Sequence, residues 1–252
     1  MRSLMGGVLA AGLMFVSGVQ ASCHAALKQR LPHSGTVIFG EVHGTNEIPA
    51  FFSACVREFI ERSEKVRVFL EFDAADTEHT AKYLQGEIDE AALLSSPRWQ
   101  LRDGRTSLAM LELHRALKGV QVFGFAPGRG VADSNAAMGE NFLKHQLKNG
   151  YNLVLVGGTH AQLAAGRGDS FASVPFGQYV QARSKNVLSL SARYTGGEAW
   201  ACTPYCDANP LDNNEPAGAM PAQRVGFGGK DRRFNGYFSV GKATASPPAL
   251  EK

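Results

Sequence analysis

The chain has 252 residues, 44% of them hydrophobic, and its 26 basic against 23 acidic side chains leave a formal charge of only +3. So mild a balance, without runs of like charge, argues against a nucleic-acid surface or an anionic-membrane anchor. Length and apolar content suit one ordinary globular core rather than a disordered or repetitive chain.

The chain opens with Met1-Arg2-Ser3, a short basic start, and continues uncharged from residue 4 to residue 16. Val19-Gln20-Ala21 then supplies the small residues of a cleavage site, so residues 1–21 are expected to be a secretory signal peptide. Ser17, Gly18 and Gln20 interrupt the apolar run before the roughly 20 residues a membrane span needs. The mature protein is therefore expected in the periplasm or outside the cell. A lipoprotein reading would use Cys23, but Gln20 stands where such signals carry a leucine-like residue. Residues 22–242 are expected to form one α/β domain, and residues 243–252, rich in Ser, Pro and Ala, a loose tail.

Strand-length apolar runs alternate with segments of helical period. Strands are predicted over residues 36–41, 66–72, 120–125, 152–157 and 187–192, and helices over residues 46–62, 76–84, 106–118 and 135–148. The first four strands are apolar on both faces, as in a mostly parallel sheet covered by helices on both sides. Asn46 is placed to cap the first of these helices, with Glu47 complementing its dipole and Pro49 in its first turn. Beyond residue 194 the chain turns loop-rich, with residues 197–202 and 234–240 as candidate antiparallel edge strands.

In an oxidising compartment Cys202-Thr203-Pro204-Tyr205-Cys206 favours a local disulfide over a metal site, since no histidine lies close to it in sequence. Cys23 and Cys55 are then left to each other. Cys55 also fits a simple buried position on the stripe of Ile48, Phe51, Phe52, Phe59 and Ile60, and four cysteines allow three connectivities.

Two strand ends carry the chemistry: Gly40-Glu41-Val42-His43 and Gly157-Gly158-Thr159-His160. Histidines at the carboxyl ends of two strands converge on the crevice where open α/β sheets hold ligands. Strand alternation puts Glu41 and His43 on one side if the chain stays extended. Glu71 interrupts a third strand end, Leu70-Glu71-Phe72-Asp73, where a buried carboxylate implies a site or an ion pair. Asp73 reads equally as the start of a helix cap, and Glu47 as a dipole complement or a site carboxylate. Arg193, near another strand end, is a candidate anion holder or carboxylate partner. His24, His33, His79, His114 and His145 read as surface or packing residues. The glycine pair before His160 lacks the lysine or dinucleotide spacing of a phosphate loop.

The order Gly-Glu-x-His-Gly-Thr, then a strand ending Leu-Glu, then Gly-x-x-His resembles the superfamily that joins erythromycin esterases, ChaN-like haem-binding proteins and TraB/TIKI-type proteases. The likeness covers about residues 36–165 and implicates Glu41, His43, Glu71 and His160. It departs from each branch. One residue, not two, separates Glu41 from His43, and neither a carboxyl-terminal anchor nor a lipoprotein signal stands out.

Two function classes follow. One is a secreted or periplasmic hydrolase, esterase- or metalloprotease-like, acting on a small-molecule or peptide substrate. In a metal form His43, His160 and the glutamates bind zinc or manganese. In a metal-free form His43 is the general base and a glutamate orients it. The other class is a haem- or iron-binding protein without turnover, held by the same histidines. A fold kept only as an interaction module is the plainest alternative.

Overall fold

The computed structural model describes residues 22–128, 130–165, 173–202, 205–215, 224–229 and 231–250. The expected signal peptide, residues 1–21, lies outside the described residues. In chain order the elements are α1 (Cys23–Lys28), β1 (Gly35–Glu41), α2 (Glu47–Glu61), β2 (Val66–Asp73), α3 (Thr77–Leu84), α4 (Glu90–Leu94), α5 (Leu108–Ala116), β3 (Val122–Ala126) and α6 (Ser134–His145). There follow β4 (Tyr151–Gly157), α7 (Phe176–Gln181), β5 (Val187–Arg193), β6 (Gly197–Cys202), β7 (Cys206–Leu211), β8 (Arg224–Phe227) and β9 (Gly236–Ser239).

Seven strands form one sheet in the order β3-β2-β4-β1-β5-β9-β8, parallel throughout except that edge strand β8 runs against β9. The expected α/β architecture is therefore present. Alternation along the strands divides the core. Val37, Phe39, Val68, Leu70, Leu153 and Leu155 pack on one face with Ile48, Phe52, Val56 and Phe59 of α2, while Ile38, Phe69, Val154 and Val156 pack on the other with Met138, Phe142, Phe176 and Val180. Each such large side chain taken from water contributes about 1.5–3 kcal/mol. The 3.6-residue spacing of the buried α2 positions is why that segment forms an amphipathic helix.

Neighbouring strands β1 and β4 lead out to opposite faces, β1 into α2 and β4 into the loop before α7. Such a divergence opens a crevice at the carboxyl ends of the strands. Three adjacent strands, β2, β4 and β1, bring the Glu71, Gly157 and Glu41 ends side by side.

Both favoured disulfides are present. Cys23–Cys55 ties α1 to α2, and Cys202–Cys206 closes the β6–β7 hairpin. Two disulfides fit an oxidising compartment. No helix among the described residues is long and apolar enough to cross a membrane.

Four local expectations are corrected. Residues 243–250 are not a loose tail: bridges join Ala243 to Gly197, Ala245 to Thr45 and Pro248 to Ser107, and Ser246 is fully buried. Their backbone supplies hydrogen bonds that the loop after β1 and the start of α5 lack locally, as in Leu108 N–H to Pro247 O at 2.8 Å. Asn46 makes no side-chain cap; its amide donates to Thr244 Oγ1 and Ala245 O, and Glu47 accepts from the Thr244 N–H at 2.8 Å. Both side chains anchor this returning segment, so Glu47 is no site carboxylate. Strand β9 is not an edge but lies inside the sheet, parallel to β5, and residues 206–211 form a strand where a loop was expected.

Candidate active site

β1 ends at Glu41, and two residues later His43 starts the turn into α2. Gly44 takes φ +79° there, and a Cβ on it would fall 2.1 Å from the Trp200 carbonyl oxygen, so the turn closes against β6 only with glycine. This turn brings the His43 ring between two carboxylates. Its Nδ1 lies 3.0 Å from Glu41 Oε1, at charge-pair distance but out of line for a hydrogen bond, and its Nε2 lies 3.4 Å from Glu71 Oε2.

Glu71 is buried at a register shift between β2 and β3, past the last β2–β4 pairing at Leu70. Its Oε2 accepts the Gly157 N–H at 2.7 Å, while Oε1 stands 3.7 Å from Arg105 Nη1 and 4.0 Å from His160 Nε2. His160 follows β4 in a turn, and its Nδ1 lies 2.7 Å from Asn135 Oδ1. That oxygen also accepts the Phe176 N–H at 3.1 Å, and the amide nitrogen donates to Ser173. Asn135 Oδ1 is thus an acceptor, which assigns the His160 proton to Nδ1 and the lone pair to Nε2.

The two imidazoles are driven apart in charge. Burial opposes a charged His43, but the Glu41 and Glu71 carboxylates more than offset it and hold its pKa well above 6.5. Burial lowers the pKa of His160 below 6.5; Glu71 opposes this, and the charges of His43 and Arg105 reinforce it. Burial also works against ionised Glu71, yet His43, His160 and the Gly157 N–H together keep its pKa well below the usual carboxylate range.

Glu41, His43, Glu71 and His160 therefore meet, as the sequence implied. Arg105 and Asn135 complete the cluster and were not legible. Asn135 looks like any polar residue in a helical first turn, and Arg105 like part of an Asp-Gly-Arg turn. The Asp73 carboxylate accepts the Ala75 N–H as a cap, and Arg193 donates to the Asn214 carbonyl rather than to a site carboxylate. His24, His79, His114 and His145 are engaged elsewhere, with Glu64, the Ala92 carbonyl, the Met110 carbonyl and the Phe123 ring. Beside Glu71 and Arg105 opens a cleft of about 510 Å³, bounded also by Asp76, Arg98 and Pro127.

The expected metal set is not formed. Among the described residues no three His, Cys, Asp or Glu side chains are placed to hold a metal ion, and the His43 ring contacts both carboxylates directly. Both nitrogens of His43 face glutamates, whereas the Asn135 contact at Nδ1 leaves the lone pair of His160 on Nε2, so of the two imidazoles His160 is the one suited to an axial haem ligand.

No family model matches the chain. No curated protein matches it either. Among solved structures, one described as a succinoglycan biosynthesis protein aligns over 88% of this chain and 91% of its own, at 10% identity and TM-score 0.66. A Bacillus cereus protein aligns over 92% and 96%, at 10% identity and TM-score 0.61. These likenesses show a shared α/β fold. A Campylobacter jejuni ChaN with cofacial haem covers 63% of this chain and 81% of its own at 13% identity and TM-score 0.46, too slight a likeness to bear on function.

Proposed function

We propose that the protein is a secreted or periplasmic hydrolase of carboxylic esters or amides that uses two histidines in opposite protonation states. The reading rests on one observation: the Glu71 carboxylate stands between the two rings, 3.4 Å from His43 Nε2 and 4.0 Å from His160 Nε2, and their surroundings favour a charged His43 and a neutral His160. Titratable groups whose surroundings separate their pKa values in this way divide naturally into an acid and a base.

In the proposed reaction His160 Nε2 takes a proton from water as the oxygen attacks the substrate carbonyl carbon. The bond to the leaving group then breaks, and His43 donates its proton to the departing oxygen or nitrogen. Glu71, standing between the rings, returns the proton from His160 to His43. This reverses the expected role of His43, since a ring held cationic by two carboxylates is an acid and not a base. Glu41 keeps that ring charged, and Asn135 fixes the tautomer of His160.

The test is hydrolysis of a panel of p-nitrophenyl esters and chromogenic peptides by the wild type and by His43→Ala, His160→Ala and Glu71→Gln. Each substitution is expected to lower turnover by about 10²–10⁴-fold, with EDTA making no difference. Metal analysis and a haem titration read at the Soret band accompany the assay. Stoichiometric haem binding without turnover would replace the proposal with the carrier reading.

A further inference from the structure

Arg98 follows α4 and Pro97 and is only 7% exposed. Its guanidinium sits in an aromatic slot, with Cζ 4.1 Å from the Phe72 ring centroid and 5.1 Å from that of Trp99. Such faces favour a cation, but they leave its in-plane N–H groups unsatisfied. Nη1 and Nη2 are both buried and neither has a hydrogen-bond partner. Among the described residues no carboxylate comes within ion-pair distance of Arg98.

A buried cationic fork without acceptors is costly unless something else supplies them. Arg98 lines the same cleft as Glu71 and Arg105. The acidic groups there are committed elsewhere: Glu71 to His43 and Gly157, Asp73 to the Ala75 N–H, and Asp103 to Arg105. Asp76 attracts Arg98 without contacting it, and its own carboxyl is pushed by burial toward the neutral form. Burial also draws Arg98 down to about 9, a shift that the charges of Asp76 and Asp103 oppose and that of Arg105, itself paired with Asp103 at 2.6 Å, reinforces.

We infer that Arg98, with Arg105 beside it, is an oxyanion-recognition subsite, so that the compound acted on at the His43–His160 centre carries a carboxylate or phosphate. The guanidinium fork matches both chemistries, donating two parallel N–H bonds to two oxygens of the anion while it keeps its contacts with Phe72 and Trp99. The inference rests on the proposed hydrolase reading for its role in turnover, but the subsite itself can be measured without turnover.

The chain has two tryptophans, and Trp99 touches the Arg98 slot. In Trp200→Phe protein the remaining indole fluorescence reports on that slot. Acetate and inorganic phosphate are each titrated at constant ionic strength, with acetamide as the neutral control. A saturable change is expected with at least one anion and none with acetamide, and the preferred anion identifies carboxylate or phosphate. Arg98→Met in the same background is expected to weaken the response at least about tenfold. Arg98→Lys, which keeps the charge and loses the fork, provides the comparison if the methionine variant fails to melt cooperatively, and the same loss is expected of it. No saturable response to either anion, or undiminished affinity in the substituted protein, overturns the inference. Hydrolysis of neutral esters without anion binding leaves the function and removes the subsite; anion binding without any hydrolysis does the reverse.

Discussion

The backbone N–H of Gly157 donates to the carboxylate of Glu71 at 2.7 Å, so the end of β4 fixes the group that stands between the two imidazoles. A Cβ on Gly157 would lie 3.1 Å from His43 Nε2 and 3.3 Å from Glu71 Oε2. Gly157→Ala is expected to fold normally, because side-chain tips give way more easily than backbone. Displacing both groups by tenths of an ångström is expected to lower turnover by about 10–100-fold. Kinetics beside a thermal melt check this, and a lowered melting temperature with unchanged turnover contradicts it.

Glu71→Gln keeps the shape and removes the charge. His43 has a raised folded pKa, so its contribution to stability is complete below 6.5 and fades as pH rises through the elevated value. Glu71 has a depressed one, so its contribution is complete above 4.5 and fades as pH falls through the lowered value. The stability difference between wild type and Glu71→Gln should therefore peak between pH 4.5 and 6.5. Urea melts across pH measure it, and NMR titration of His43 should show its midpoint falling in the variant.

Asn135 acts on the reaction only through His160. Asn135→Ala should reduce kcat by about 10–100-fold, the usual cost of removing a group that orients a working histidine. Asn135→Asp should raise the pKa of His160 by placing a carboxylate on Nδ1. The acid limb of the rate profile then moves to higher pH, a change that loss of structure alone does not produce.

What the sequence made legible was the chemistry at strand ends. Glu41, Glu71 and the two histidines each close an apolar run, and burial at such a point is expensive enough to mark a site. Arg105 and Arg98 sit in the connections and Asn135 in the first turn of α6, where an arginine near Asp103 or an asparagine near Asp133 has the same local pattern as a solvated turn or helix start. Only tertiary contact distinguishes them. The same holds for residues 244–250, whose partners lie about 140–200 positions away in the chain, as with Ala109 to Ser246 and Glu47 to Thr244.

His114 is wholly buried, with Nδ1 against the Met110 carbonyl at 2.6 Å, and burial, aided by the charge of Arg98, pushes its pKa down to about 3. Between about pH 3 and 6.5 the unfolded chain therefore holds a proton that the folded chain does not. Stability should fall as pH drops through that window, by up to about 1.4 kcal/mol per pH unit from this one group. His114→Leu should flatten the acid limb of the stability curve while leaving stability near neutrality within a few kcal/mol.

Removing residues 243–252 tests whether the returning segment supports the site. Its loss strips the backbone partners of Leu108 and Asn46 and leaves Gly44 O without the Ser246 N–H, one residue from His43. Each lost hydrogen bond costs about 0.5–1.5 kcal/mol, more where a buried group is left unpaired. The truncated protein is expected to melt at markedly lower temperature and to lose activity before it unfolds, as the His43 turn loosens first. Thr244→Ala, which removes only the hydroxyl contacts to Glu47 and Asn46, should cost about 1 kcal/mol and spare turnover. Calorimetry and initial rates on the two variants separate these outcomes: a truncation that leaves both unchanged would mean that the segment merely lies against the fold.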